Sequence, residues 1–336
     1  MDTQVKDIAI IGAGPAGLFA AFQAGLLGLS TVILDSLPQA GGQMAALYPE
    51  KEILDVPGFI SITGAELSER LVEQAAPFNK EWYFNTAVEA LEKKDGIWHL
   101  STSGDHEIYA KTIIIAAGGG SFKPKRPPQI EDIEAYEGTS IHYSVFNPGQ
   151  YKDKSVVIIG GGDSAVDWAM HLTELGAKVT LVHRRDKFRA LAHHVEKIKE
   201  YAEQGILNLQ TGMQLHNIEG AAPNLSIVNI TDFDGNITPI EAEHMFIFMG
   251  LNKDLGPIAQ WGLSESKTRI DVNPATFETS EPSIFAIGDI AYWSGKVPLI
   301  VTGFGEAATA TRSAFLVAKP EEKLSKMHST SMKIPD

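Results

Sequence analysis

An α/β fold of two three-layer domains, one inserted into the other, is what this sequence predicts, and three observations predict it. The segments "DIAIIGAGPAGLFAAFQAGLLGLSTVILD", residues 7–35, and "VVIIGGGDSAVDWAMHLTELGAKVTLVHRR", residues 156–185, each run apolar strand, glycine turn, helix, second strand. Units of that order build parallel sheets covered by helices. Third, "TSEPSIFAIGDIA", residues 279–291, reads as a late strand that completes the first unit. The expected bounds are therefore 1–120 and 249–318 for a discontinuous outer domain and 121–248 for the inserted one. Residues 319–336 are expected to form a C-terminal extension.

In the first unit Ile8, Ile10 and Ile11 make a buried strand, and Gly12, Gly14 and Gly17 give G-x-G-x-x-G around Pro15 and Ala16. The first glycine permits the tight turn. The second lets a pyrophosphate approach the backbone, and the third lets helix and strand pack closely. The helix then presents free N–H groups and its positive end to the anion. The second strand, "TVIL", ends on Asp35, placed to accept from ribose hydroxyls. This is a Rossmann-like dinucleotide-binding unit.

The second unit repeats the pattern with Gly160, Gly162 and Ala165, and Asp163 and Ser164 open its helix. Asp35 lies 23 residues after Gly12 and His183 lies 23 residues after Gly160, so the units share a register. They differ where the second strand ends: the second has His183, Arg184 and Arg185, with Arg189 expected about one helical turn later. A carboxylate there would repel a phosphate, whereas a planar guanidinium grips one bidentately. The second site is thus expected to take NADP(H) through its 2′-phosphate. Asp35 suits a cofactor without that phosphate. FAD is preferred over NAD because a second nicotinamide site adds no chemistry unless something between the two stores electrons.

The late strand, read as Ile284 to Ile287, ends on Gly288 and Asp289, and "KVPLIVTGFGEAATATRSAFLVA" follows as a helix-like stretch. Gly288 allows close approach of a ligand to the backbone, and Asp289 is placed to accept from ribityl hydroxyls.

Composition narrows the function. The 336 residues exceed one ordinary core. There is no cysteine, which excludes disulfides, thiolate nucleophiles and Cys-ligated clusters; no metal site is expected. A formal charge of −14 argues against nucleic acid as a partner. No apolar run approaches the ~20 residues of a membrane span, and the start lacks the features of a signal peptide, so a cytoplasmic protein is expected.

GAGPAG, GGGDSA, HRRDKFRA and IFAIGD together resemble the low-molecular-weight thioredoxin reductases, two-domain FAD/NADPH flavoproteins. That family carries a Cys-x-x-Cys pair shortly before the second glycine fingerprint. Here "IHYSVFNPGQYKDK", residues 141–154, holds none. The chain is more closely similar to the thioredoxin-reductase-like class of ferredoxin–NADP+ reductases. The similarity lies in "GGQMAALYPEKEILDVPGF", "GSFKP", "IHYSV", "GGGDSAVDWA", "GKVPLIVTGFGEA" and the terminal "HSTS".

That resemblance implies the remaining assignments. Asp35, Gly42, Gln43, Tyr48, Val88, Phe122, Asp289 and Thr330 match FAD-binding positions, with Tyr48 stacked on one flavin face. His328 matches a histidine that covers the other face from the partner subunit of a homodimer. Met44 and Met213 read as packing. The implied activity is ferredoxin or flavodoxin–NADP+ oxidoreductase: hydride transfer between NADPH and FAD, then one-electron exchange with the carrier. The alternative is an NADPH-dependent flavoprotein oxidase or diaphorase acting on oxygen or quinones. Since the carriers are usually acidic, docking is expected to use local cations, with Lys51, Lys123, Lys125, Arg126 and Lys296 as candidates.

Overall fold

The computed structural model describes residues 4–78, 81–104, 106–263 and 268–323, excepting the side chains of 121–123 and 251–253. The chain divides into two compact units, residues 1–122 with 253–336 and residues 123–252.

In the first unit, β1 (Lys6–Ile11) lies between β2 (Thr31–Leu34) and the long β6 (Glu107–Ile115), with β3 (Trp82–Tyr83) outside β2, all parallel. Beyond β6 the sheet changes character along one edge. The N-terminal half of β6 pairs antiparallel with β5 (Ile97–Thr102), which hairpins with β4 (Val88–Lys94). Its C-terminal half pairs parallel with the late strand Ile284–Ala286. That pairing carries the segment after residue 280 back to the first glycine loop.

Alternation along the strands fills two cores. Ile8, Ile10, Ile33 and Ile114 join α1 (Pro15–Leu26), α3 (Gly64–Ala75) and α6 (Ile300–Ala318) on one face. Ala9, Ile11, Val32, Leu34, Ile113 and Ile115 join Val88, Trp98 and Leu100 on the other. A strand buried on both faces needs an unbroken apolar run, which is why "IAII" and "TIIIAA" carry no alternation of polarity. On α1 and α6 the facing residues are small: Ala20, Ala21 and Ala24 against Gly303, Ala307, Ala310 and Ala314, all buried.

The second unit holds a five-stranded parallel sheet in the order β8 (Ile141–His142), β15 (His244–Phe248), β9 (Ser155–Gly160), β10 (Lys178–His183), β11 (Asn208–Thr211). Val156, Ile158, Val179 and Leu181 pack under α4 (Asp163–Glu174) and α5 (Ala192–Glu203). Val157, Ile159 and Val182 pack under a three-stranded antiparallel sheet of β12 (Gln214–Ala221), β13 (Asn224–Thr231) and β14 (Ile237–Glu241). The two crossings of the chain between units, β7 (Ser121–Pro124) and β16 (Leu251–Asp254), pair with each other. Among the described residues no helix is long and apolar enough to cross a membrane.

Candidate functional site

In the first unit the glycine loop is shaped by two approaches that exclude a side chain. Gly12 has φ +106°, and a Cβ there would stand 2.5 Å from the Ala116 carbonyl oxygen at the end of β6. A Cβ on Gly17 would collide with the Gly12 carbonyl oxygen, so α1 could not reach β1. Beside Gly14, by contrast, the nearest atom to a Cβ would be Gly42 Cα at 3.9 Å. The loop is therefore closed toward the protein at Gly12 and Gly17, and at Gly14 a side chain would meet nothing tighter than ordinary contact with Gly42. Pro15 starts α1, the first turn carries no acidic residue, and no side chain caps it. Its amide hydrogens and positive end are left for an anion.

Asp35 stands at the end of β2 and is 9% exposed. Its two carboxylate oxygens accept from the amides of Ala13 at 2.6 Å and Leu37 at 2.8 Å. Burial pushes its pKa up, and those two amide bonds pull it back. The sequence reading assigned Asp35 only to a ribose. The structure adds a role that the reading missed: Asp35 ties the glycine loop to the second strand.

The late strand brings Gly288 and Asp289 to the same place. Cβ atoms built on Gly288 and on Gly303 of α6 would lie 3.2 and 3.3 Å from the Ala16 methyl group. Tyr48 follows α2 (Gly42–Leu47), and its hydroxyl is pushed above the ordinary phenol range by burial and then by the charges of Asp289 and Asp55. Gln43 projects toward Gly118, whose Cβ position lies 3.6 Å from the Gln43 amide nitrogen. Val88 is only 5% exposed, packed in the second core. Met44 is 1% exposed in the first core. His328 and Thr330 lie outside the described residues, as does the side chain of Phe122.

In the second unit a Cβ on Gly160 would meet the Ala165 methyl at 2.9 Å, so loop and α4 touch through small groups. Ser164 is exposed on the first turn, and Asp163 accepts from the Leu191 amide at 3.1 Å. Residues 184–190 are not helical, a correction to the expected helical turn, and α5 starts only at Ala192. Arg189 instead returns to the glycine loop by a bridge to Gly162, its amide donating to the Gly161 carbonyl at 2.8 Å. Arg184, Arg185 and Arg189 are all exposed. The His183 ring packs against Gly161 and lies 4.9 Å from the Phe188 ring. Burial, opposed by the Lys187 carbonyl and reinforced by Arg184 and Arg185, lowers its pKa.

The expected docking cations need correction at two positions. The Lys296 side chain is buried, 7% exposed and paired with Glu306. Arg126 is exposed but already grips Glu137 at 2.7 Å and Glu134 at 2.5 Å. Lys125 is exposed, Lys51 only partly so, and the Lys123 side chain lies outside the described residues.

The profile of the pyridine nucleotide-disulphide oxidoreductases matches residues 6–314. The chain is 46% identical to the ferredoxin–NADP reductase of Paramagnetospirillum magneticum over 98% of both chains. It is 45% identical to that of Rickettsia prowazekii over 92% of both. Among solved structures, the thioredoxin reductase of T. acidophilum superposes with a TM-score of 0.77 at 28% identity, covering 92% of this chain and 97% of that one. That of Lactococcus lactis gives the same score and identity over 93% and 99%.

Proposed function

From the premise that the chain belongs to the pyridine nucleotide-disulphide oxidoreductase family, we propose that it is a ferredoxin–NADP+ reductase working with FAD and NADP(H). One observation carries the reading. In a chain without cysteine, one glycine loop is tied to its second strand by a buried carboxylate, and the corresponding strand of a second unit leads into exposed arginines. Full-length likeness to the reductase of P. magneticum supports it.

The residues of the first unit fit FAD. The side-chain-free turn at Gly14 and the uncapped start of α1 suit its pyrophosphate, and Asp35 has lone pairs left beyond its two amide bonds. Asp289 would accept from ribityl hydroxyls. Tyr48 would offer its half-buried, uncharged ring to one flavin face. In the second unit the glycine turn at 160–162 and the start of α4 would hold the pyrophosphate of NADP(H), and Arg184, Arg185 and Arg189 its 2′-phosphate.

When bound, FAD takes a hydride's two electrons together and gives them up singly. The protein's own residues orient the two cofactors and exclude water; no side chain need act as nucleophile. Without a dithiol in the chain, a carrier would have to dock close to the bound flavin. Flavodoxin as a second carrier, a homodimer in which His328 of the partner subunit covers the flavin, and a cytoplasmic location belong to the same proposal. The resemblance supports these three.

The test is anaerobic. NADPH mixed with the purified full-length chain should bleach a flavin spectrum, and oxidised ferredoxin or flavodoxin should restore it within turnover time. Absence of bleaching would overturn the reading. Reoxidation by oxygen or quinone as fast as by either carrier would favour an oxidase or diaphorase instead.

A further inference from the structure

The stretch between the late strand and α6 is joined to α6 by an ion pair that the proposed chemistry leaves unused. Lys296 and Glu306 lie 2.7 Å apart with side chains 7% and 2% exposed. A buried pair of this kind is costly to desolvate and is a weak source of stability. Its placement suggests another purpose. The Glu306 carboxylate accepts from the Gly288 amide at 2.7 Å, and the Lys296 ammonium donates to the Gly288 carbonyl at 2.6 Å. Both polar groups of one glycine are thus held by the two ends of one ion pair. The second Glu306 oxygen accepts from the Trp293 indole at 2.9 Å.

Gly288 has φ +70° and immediately precedes Asp289. It has no side chain to anchor it, and the turn leaving the late strand has no side-chain cap. Without the clamp, the direction of Asp289 would rest on a short 3-10 turn. Glu306 sits on the buried face of α6, so the clamp fixes this turn to the helix that packs on α1. The loop around Gly14 and the turn bearing Asp289 are in this way referred to one rigid frame.

We infer that Lys296 and Glu306 are positioning residues of the FAD site: their ion pair holds the Gly288 peptide so that Asp289 faces the flavin's ribityl chain. The inference rests on the FAD reading above and assigns the pair no contact with flavin. Charge-assisted bonds to a buried peptide lose most when one partner alone is removed, because the other charge is stranded.

The experiment uses the purified full-length holoprotein and three variants: Glu306→Gln, Lys296→Met and the double variant. Three quantities are read: the melting temperature, FAD released on dilution by recovery of flavin fluorescence, and the visible spectrum of the bound flavin. Each single variant should lower the melting temperature and raise the FAD dissociation constant about tenfold or more. The double variant strands no charge, so it should recover most of the melting temperature while FAD affinity stays weak and the spectrum stays shifted. Recovery of stability together with wild-type affinity and spectrum would make the pair merely structural and overturn the inference. So would single variants that bind FAD as tightly as wild type. Wild-type protein that carries no flavin and takes none up would overturn the FAD reading itself, and the inference with it.

Discussion

The imidazole of His183 occupies the space that a side chain at Gly161 would need. The last residue of β10 and the middle residue of the glycine turn are therefore one packed unit, wedged further by Phe188. A methyl group at Gly161 would push the ring outward and carry Arg184 and Arg185 with it. Overpacking of this kind costs on the order of 1–3 kcal/mol. Gly161→Ala should raise the KM for NADPH about tenfold or more, with flavin content unchanged. Steady-state kinetics beside a flavin-to-protein ratio check it, and an unchanged KM would mean that the ring is free to move.

Arg189 returns to the second loop by its bridge to Gly162, and Arg184 and Arg185 are exposed just beyond the end of β10. Removing one bidentate charge-assisted contact should cost about 2 kcal/mol, roughly thirtyfold in NADPH affinity. NADH, lacking the phosphate, should be little affected. The quantity to measure for Arg184→Ala is the ratio of kcat/KM for the two nucleotides. A ratio equal to that of wild type would remove the phosphate fork.

Asp35→Ala frees the amides of Ala13 and Leu37, which the carboxylate now receives. Leaving buried donors unmet costs about 1–3 kcal/mol. The variant should therefore be purified depleted of flavin, while the residual holoprotein remains reducible by NADPH. A fully flavinated variant unable to accept a hydride would contradict the holding role.

Much of this was legible in the sequence, for reasons that differ by residue. Gly12, Gly17 and Ala165 answer local steric demands, and such demands leave a spacing that can be read. The joining of the late strand to β6 was legible only as a missing complement to the first unit, because pairing between residues 113–115 and 284–286 is non-local. Lys296 and Arg126 were misjudged for one reason. Charge is visible in a sequence but its neutralising partner is not, and Glu306, Glu134 and Glu137 lie on other elements. The second role of Asp35 was hidden likewise, since Ala13 is 22 positions away.

His142 offers a test by acidity. It lies between the rings of Tyr151, His244 and Phe246, and burial, then His244, lowers its pKa to about 4. The folded protein keeps this ring neutral between pH 6.5 and about 4, while the unfolded chain binds a proton there. Stability should therefore fall as pH falls through that window, with a limiting slope near 1.4 kcal/mol per pH unit, reduced by the solvent that reaches the half-buried ring. His244 is shifted the same way by burial and contributes in the same direction. His142→Phe should flatten the fall in melting temperature between pH 6.5 and 4.5. Parallel curves for variant and wild type would assign the acid sensitivity elsewhere.

Lys125 and Arg126 are neighbours with different electrostatic standing. Arg126 is engaged by two carboxylates, so at a distance it presents little net charge. Lys125 is exposed, with no side-chain partner among the described residues. An acidic carrier meeting a protein of charge −14 is repelled overall, and only unneutralised cations can guide it. Such guidance acts mainly on the association rate and is screened over ~10 Å at 0.1 M salt. Lys125→Ala should therefore slow ferredoxin reduction about twofold to threefold at low ionic strength and blunt its decline with added salt. Arg126→Ala should leave both nearly as they are, or raise the repulsion by exposing Glu134 and Glu137. Reduction of ferricyanide by NADPH, which needs no protein docking, should hardly change in either variant. If Arg126→Ala slows ferredoxin reduction more than Lys125→Ala does, local charge neutralisation does not govern docking, and the carrier meets another face of the protein.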